Sequence, residues 1–345
     1  MRIRESASIS TGTSAENLHS LEWGFFCLKK FEDLDGQLGI LYKRGLQFED
    51  YKKAKQYLLT NNYYNLINGY SKYFMDLEIN KYLPNASFDE ITHLHYFDKE
   101  LKTAFFTAIT EAEKHLKSIL AYRFSEAYPN CQYAYLNTSN YDTSKILELG
   151  WLISKLSSLI NQNKKRNNGN SIQHYCRTHN DVPIWVLIDY LDFGQTNSML
   201  KSLPTDLQNK IAKNICSFIS EKTVINSPFT PEIMLSFTEN IREVRNICAH
   251  NNRLLDFKCK ADLKHYPDIH LKYDVQPSDN RKDVYSVFII LQCFLSNVQY
   301  ATLHNTIKKR VKTLDNQLTS ISINNILESL GFPNDWHLNV ETLRY

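Results

Sequence analysis

The sequence predicts an all-α protein, and three observations carry that expectation. Apolar residues recur at three-, four- and seven-residue intervals, whereas period-2 alternation is scarce and no convincing strand–helix–strand pattern is present. Helix-start signals stand ahead of the apolar runs. Only 10 Gly and 9 Pro among 345 residues argue against a turn-rich β-sandwich and against low-complexity sequence. The length corresponds to about two average domains and is enough for at least one sizeable core.

Residues 1–20 are polar and rich in Ser and Thr, which predicts a mobile tail. Residues 21–85 read as an N-terminal helical region. Ser87 and Glu90 then have capping-box spacing. Behind them Leu94, Leu101, Phe105, Ala108, Ala112, Leu116 and Ile119 share one stripe, which predicts a helix or a kinked pair to Glu126. A second helix is expected over Thr143–Ile160. A third is expected to begin at Pro183, a residue suited to the first helical position, and to stop at Gly194, the usual residue just past a helix end. A fourth is expected from Pro204.

Thr230-Pro231-Glu232 is a further helix start, with a capping hydroxyl, a proline and an acid in the first turn. That helix carries Met234, Phe237, Ile241, Val244 and Cys248 on one stripe and runs toward His250, where Asn251 and Asn252 can end it. The last long helix is expected over Asp283–Leu314, with Val287, Phe288, Leu291, Phe294, Leu295 and Val298 as its apolar face. No internal repeat is evident. The expected organisation is a helical bundle over residues 86–315, with residues 316–345 as a C-terminal segment packed on it.

Charge and cysteine usage narrow the function. The balance of 40 basic against 37 acidic side chains, a formal +3, excludes a polycation and an acidic disordered tail, while leaving room for local basic patches. The seven cysteines are scattered, without a CxxC pair, which predicts reduced thiols in a cytoplasmic protein. The N-terminus lacks the apolar stretch of a secretory signal. The longest apolar run, Val284–Leu295, is interrupted by Tyr285, Ser286 and Gln292 and falls short of the ~20 apolar residues a membrane span needs. No membrane association is expected.

The segment Ile241–Leu254, IREVRNICAHNNRL, carries the sharpest chemical signal. An Arg and a His together suit metal-free cleavage of RNA. Imidazole titrates near neutrality and can take a proton from a ribose 2′-hydroxyl or give one to the leaving oxygen. The guanidinium fork can hold the phosphate and the added charge of the transition state. Arg245 and His250 fill these roles, and Asn246 can orient His250 or the phosphate. Five steps of about 100° separate Arg245 from His250 by about 140° around an ideal helix. Either the helix unwinds before His250 or a second chain completes the site. The plainer alternative is that both residues cap carbonyls or sit in solvent at a helix end.

This segment resembles the HEPN ribonuclease motif in its Arg-Asn form. The chain as a whole, over roughly residues 35–340, resembles the AbiD/AbiF-type abortive infection proteins of bacteria. Five blocks in order carry the resemblance: GILYKRGLQFEDYKKAKQYL at Gly39–Leu58, NNYYNLINGYSKYF at Asn61–Phe74, VPIWVLIDYLDFGQ at Val182–Gln195, REVRNICAHNNRL at Arg242–Leu254, and LGFPNDW at Leu330–Trp336. The resemblance implies a HEPN-like helical bundle with additional N- and C-terminal helices, a cytoplasmic phage-defence role, and RNA cleavage without metal or cofactor. By position it places Arg245, Asn246 and His250 in the active-site motif. The family often continues with a second His and Arg-Leu-Trp-Asn. Here Asn251, Asn252, Arg253, Leu254, Leu255 and Asp256 follow, so Arg253 is retained and the second His is absent. The resemblance further implies that two motifs join in one composite cleft. This chain holds no second Arg-x4–6-His, so a homodimer is expected.

Two acid-free stretches are candidate RNA contacts. Leu149–Asn180 contains Lys155, Lys164, Lys165, Arg166 and Arg177, and Val284–Leu314 contains Lys308, Lys309, Arg310 and Lys312. Lys164, Lys165, Arg166, Lys308, Lys309, Arg310 and Arg253 are the residues named for that role. The plainer readings of the two stretches are a solvated loop and a charged helix end. The cluster Tyr63, Tyr64, Tyr70, Tyr73 and Phe74 is expected to pack rather than to stack on bases. His174-x-Cys176-x2-His179 and Cys248-x-His250 with Cys259 have zinc-ligand types, but no paired short spacing supplies a fourth ligand, and no metal is expected. No P-loop, nucleophile elbow, dinucleotide fingerprint or HExxH is present. The expectation is therefore an RNA-cleaving enzyme. The alternatives are an RNA-binding module that holds a noncoding RNA or senses a phage component, and a helical scaffold.

Overall fold

The structure, a computed structural model, describes residues 31–166 and 169–344; the tail expected at residues 1–20 lies outside them. It is all-α, as the apolar periodicity predicts, with one two-stranded hairpin among the described residues.

The chain enters through α1 (Leu34–Lys43) and α2 (Tyr51–Thr60). Asp33 and Asp50 cap them by accepting from backbone amides of their first turns. A π-helical turn at Tyr64–Asn68 and a 3-10 turn at Ser71–Phe74 follow. Strands β1 (Met75–Asp76) and β2 (Lys81–Tyr82) then pair antiparallel, Met75 opposite Tyr82 and Asp76 opposite Lys81. Leu38, Leu41, Leu66, Ile67 and Phe74 from this region are buried in the same hydrophobic core as the rest of the molecule. The N-terminal region therefore wraps onto the bundle.

The axis of the bundle is α3 (Phe88–Ala127), 40 residues long and unbroken where a kinked pair was an alternative. Its start has the expected capping box: Ser87 Oγ accepts from the Glu90 amide and the Glu90 carboxylate accepts from the Ser87 amide. Glu90 also accepts from the amides of Thr319 and Ser320, which holds the C-terminal segment against this helix end. These amide donors outweigh burial and hold the Glu90 carboxyl below its ordinary value.

A 3-10 turn at Thr143–Lys145 leads into α4 (Ile146–Lys165), which runs a turn past the expected end at Ile160. After it come α5 (Ser171–Thr178), the short α6 (Ile184–Leu187), α7 (Phe193–Ser202), α8 (Thr205–Ser220) and α9 (Pro231–Ala249). The expected single helix from Pro183 to Gly194 is corrected at both ends. Pro183 is the extended residue before α6, not its first helical residue. The chain leaves helical geometry at Leu191, and Gly194 lies inside α7. The cause is a capping box at Asp192 and Gln195, which starts a new helix where glycine suggested an end.

The expected helix over Asp283–Leu314 is also two helices, separated after the short α10 (Pro267–His270): α11 (Val284–Leu291) and α12 (Asn297–Asp315). Ser296 and Gln299 form a third capping box and restart the chain. Every residue of α11 is buried, but Val298 lies past the break and is exposed, contrary to its assignment to the apolar face. The chain closes with α13 (Ile323–Leu330) and α14 (Trp336–Asn339). Gly331 adopts φ +81° between them, and a Cβ there would overlap the Asp283 carboxylate. Among the described residues no helix is long and apolar enough to cross a membrane.

Candidate functional site

Helix α9 delivers the Arg-Asn-His segment. Thr230 caps it and Pro231 opens it. Met234, Phe237, Ile241 and Val244 are buried along one side, so the opposite side is left for polar residues. The end is a Schellman motif: the Asn252 amide donates to the Ile247 carbonyl and the Asn251 amide to the Cys248 carbonyl. Asn251 takes the left-handed position, at φ +54°. His250 is the C-cap, and its amide still bonds to the Asn246 carbonyl at 3.0 Å. The helix therefore does not unwind before His250.

A buried ionic network fixes this turn. Asp98 on α3 is fully buried and lies 3.1 Å from the Lys102 ammonium, one turn along. It accepts from the Tyr70 hydroxyl at 2.8 Å and from the Leu254 amide at 3.0 Å. Lys102 in turn donates to Asn251 Oδ1 at 2.7 Å. Burial, reinforced by the Asp98 charge, pushes the Tyr70 hydroxyl well above the ordinary phenol value, so it remains a donor. Arg253 donates to the Gly69 carbonyl and, at 3.3 Å, to the Leu255 carbonyl. Its guanidinium ties the segment before the hairpin to the loop after α9. The guanidinium for which an RNA contact was expected is thus engaged in holding two loops together.

Between these elements lies an open cleft of about 590 Å³. One wall is the end of α2 and the π-helical turn, residues 60–70; another is His95 and Lys102 from α3; the third is His250 through Arg253. Six asparagines, two histidines, a lysine and an arginine line it, and no Asp or Glu does. Tyr64 is exposed beside it, whereas Tyr70 and Phe74 are buried and Tyr63 and Tyr73 partly so, in line with packing for most of that aromatic cluster.

His95 is held from outside its own helix. Its Nδ1 lies 2.7 Å from the Tyr57 hydroxyl of α2. Its ring meets the Tyr57 and Tyr70 rings edge-on, at centroid distances of 6.0 and 5.2 Å. Burial, and after it the Lys102 charge, hold the imidazole below its ordinary value, with Asp98 opposing.

The sequence-predicted residues are only partly gathered here. His250 and Arg253 line the cleft; Arg245 and Asn246 do not. The Arg245 guanidinium sits 5.9 Å from the Phe106 ring centroid and donates to Asn246 Oδ1 at 3.4 Å, so the Asn246 side chain meets Arg245. Lys164, Lys165 and Arg166 stand exposed at the end of α4. Lys308 donates to the Val340 carbonyl at 2.5 Å, Arg310 pairs with Glu100 at 2.9 Å, and Lys309 is exposed. None of these six lines the cleft. The acid-free stretch over Val284–Leu314 is therefore partly neutralised by a carboxylate from α3, which a linear reading cannot see.

Cys248 and Cys259 are both pushed up to about 12 by burial, which keeps them as thiols. No cluster of three or more His, Cys, Asp or Glu able to hold a metal occurs among the described residues.

Sequence reasoning missed His95, Lys102 and Tyr57. The signal was a polar stripe on α3, with His95, Asp98 and Lys102 at i, i+3 and i+7 beside the apolar one. In the comparison with known proteins, a family model described as Abi-like protein matches residues 56–256. That span, more than half of the chain, contains all three walls of the cleft. Searches of curated proteins and of solved structures return no match.

Proposed function

Because the chain belongs to the Abi-like protein family, which points to abortive infection as a defence against phage, we propose that it acts there as a metal-independent endoribonuclease of the HEPN, AbiD/AbiF type. The observation that carries the reading is the cleft at His250, rich in imidazole, ammonium, guanidinium and amide donors and free of carboxylates. Such a lining suits a polyanion and offers imidazole as its proton-transfer chemistry.

In this reading His250 takes the 2′-hydroxyl proton or returns one to the leaving oxygen. Cleavage leaves a 2′,3′-cyclic phosphate and a 5′-hydroxyl. Arg245 clamps the phosphate, held in place by Asn246. Because Arg245 lies outside its own chain's cleft, it acts in the cleft of a second copy, and a two-fold homodimer places two motifs face to face.

The test is RNA cleavage by the purified protein in excess EDTA, beside His250→Ala. Cutting that survives EDTA and leaves cyclic phosphate is expected, and His250→Ala lowers turnover by about 10²–10⁴-fold while retaining most RNA affinity. Tight, salt-dependent RNA binding with no cutting would instead establish the RNA-holding module.

A further inference from the structure

We propose that His95 is the second acid–base group of the cleft, acting opposite His250 of the same chain, so that each protomer supplies a complete proton-transfer pair. The inference rests on the reading of the cleft as a site of RNA cleavage. Both imidazoles line one cavity, from helices that are distant in sequence. His95 has its orientation fixed by the Tyr57 hydroxyl and by two aromatic edges, a degree of anchoring that a packing histidine at a solvent cleft does not need. No carboxylate lines the cleft to take either role.

Cleavage through the 2′-hydroxyl requires two proton transfers. A neutral imidazole accepts the 2′-hydroxyl proton as O2′ bonds to phosphorus. A protonated imidazole gives its proton to O5′ as the phosphorus–O5′ bond breaks. One proton enters the pair and one leaves it, so the two histidines finish with their protonation states exchanged.

His95 fits the base. Its environment favours the neutral form, through burial first and the Lys102 and Lys99 charges after it, against the pull of Asp98. In the tautomer whose Nδ1–H donates to the Tyr57 hydroxyl, Nε2 is the accepting nitrogen, and the proposal assigns that tautomer to the base. His250, exposed on another wall of the same cleft, is then the acid. Lys102 lines the same cavity and contributes positive potential toward the phosphate.

The experiment uses single variants and mixed dimers of the full chain. His95→Ala and the polar His95→Gln each lower kcat by about 10²-fold or more. A bell-shaped pH profile of kcat/KM is the expected result for the wild type, and His95→Gln should lose its acidic limb, a change that a purely structural role would not produce. The charged and titratable groups bearing on that limb are Tyr57, Tyr70, Asp98, Lys99, Lys102, His250 and Arg253.

Equal mixing of two inactive variants gives about half heterodimers, each with one whole site of two, and therefore about a quarter of wild-type activity where the lesions complement. Arg245→Ala should complement both His250→Ala and His95→Ala, the second pairing also showing that the His95→Ala chain folds and assembles. His95→Ala and His250→Ala should not complement each other. Restoration in that last mixture, or His95→Ala retaining activity within about tenfold of wild type, overturns the proposal. Failure of Arg245→Ala to complement either partner, with His95→Ala still inactive, overturns the shared dimer site and leaves His95 standing. A wild-type protein that cuts no RNA overturns the nuclease reading, and the role of His95 with it.

Discussion

Asn251 does two jobs with one side chain. Its backbone takes the left-handed turn that ends α9, and its Oδ1 accepts from Lys102. The two contributions separate by mutation. Asn251→Ala pays both a left-handed backbone cost of about 1–2 kcal/mol and the loss of a hydrogen bond to a charged group, about 1.5–3 kcal/mol. Asn251→Gly is expected to recover only the backbone part. Urea unfolding of the two variants should therefore rank wild type above Asn251→Gly above Asn251→Ala; equal stability of the two variants would mean that the Lys102 contact dominates alone. Asp98 is the more severe site. It is a fully buried carboxylate with a lysine, a tyrosine and a backbone amide on it, and removing one partner of such a pair costs about 3–5 kcal/mol. None of these partners is close to Asp98 in sequence except Lys102.

At the scale of elements, capping decides where helices begin and stop. Three capping boxes, at Ser87, Asp192 and Ser296, start helices that position the core. The first was legible because an apolar stripe follows it cleanly. The other two were obscured by their surroundings: Gly194 follows Asp192 closely, and apolar residues run on both sides of Ser296. Because α11 is buried all round, its apolar residues run without a gap in the pattern toward α12, so the expected helix over Asp283–Leu314 merged α11 with α12. Ser296→Ala removes the cap and should lower stability by about 1 kcal/mol in denaturant titration. An unchanged midpoint would mean that packing of the buried α11 sets the break without help from the cap.

Across the whole molecule, buried and half-buried histidines that favour the neutral form predict how stability depends on pH. His95 and His304 are held below the ordinary imidazole value, chiefly by burial, and His270, fully buried, is lowered to about 4 by the same cause. As pH falls through about 6.5 the unfolded chain binds protons at these positions while the folded chain does not, so the stability lost on acidification begins there. Glu239, held down to about 2 by Arg242 and Lys201 despite its burial, and Glu90 add loss in the same direction below the ordinary carboxylate value. The melting temperature is thus expected to fall steadily from pH 7 to pH 4. His270→Gln should flatten the part of the curve between about pH 6.5 and 4; a curve of unchanged slope would refute the assignment.

The sequence by itself determined the class of the fold, the long α3 with its cap, the start of α9 and its end at Asn251 and Asn252, and the position of His250. These are local properties: periodicity, capping and turn chemistry act between residues a few positions apart. Only the tertiary structure decided what His250 faces. It brought residues 60–70, His95 and Lys102 to His250, left Arg245 against Phe106, tied Arg253 into the loops, and set Glu100 against Arg310. Each of those placements joins segments separated by more than a hundred residues. Their partners are fixed by how the helices pack around α3, and no spacing along the chain encodes that.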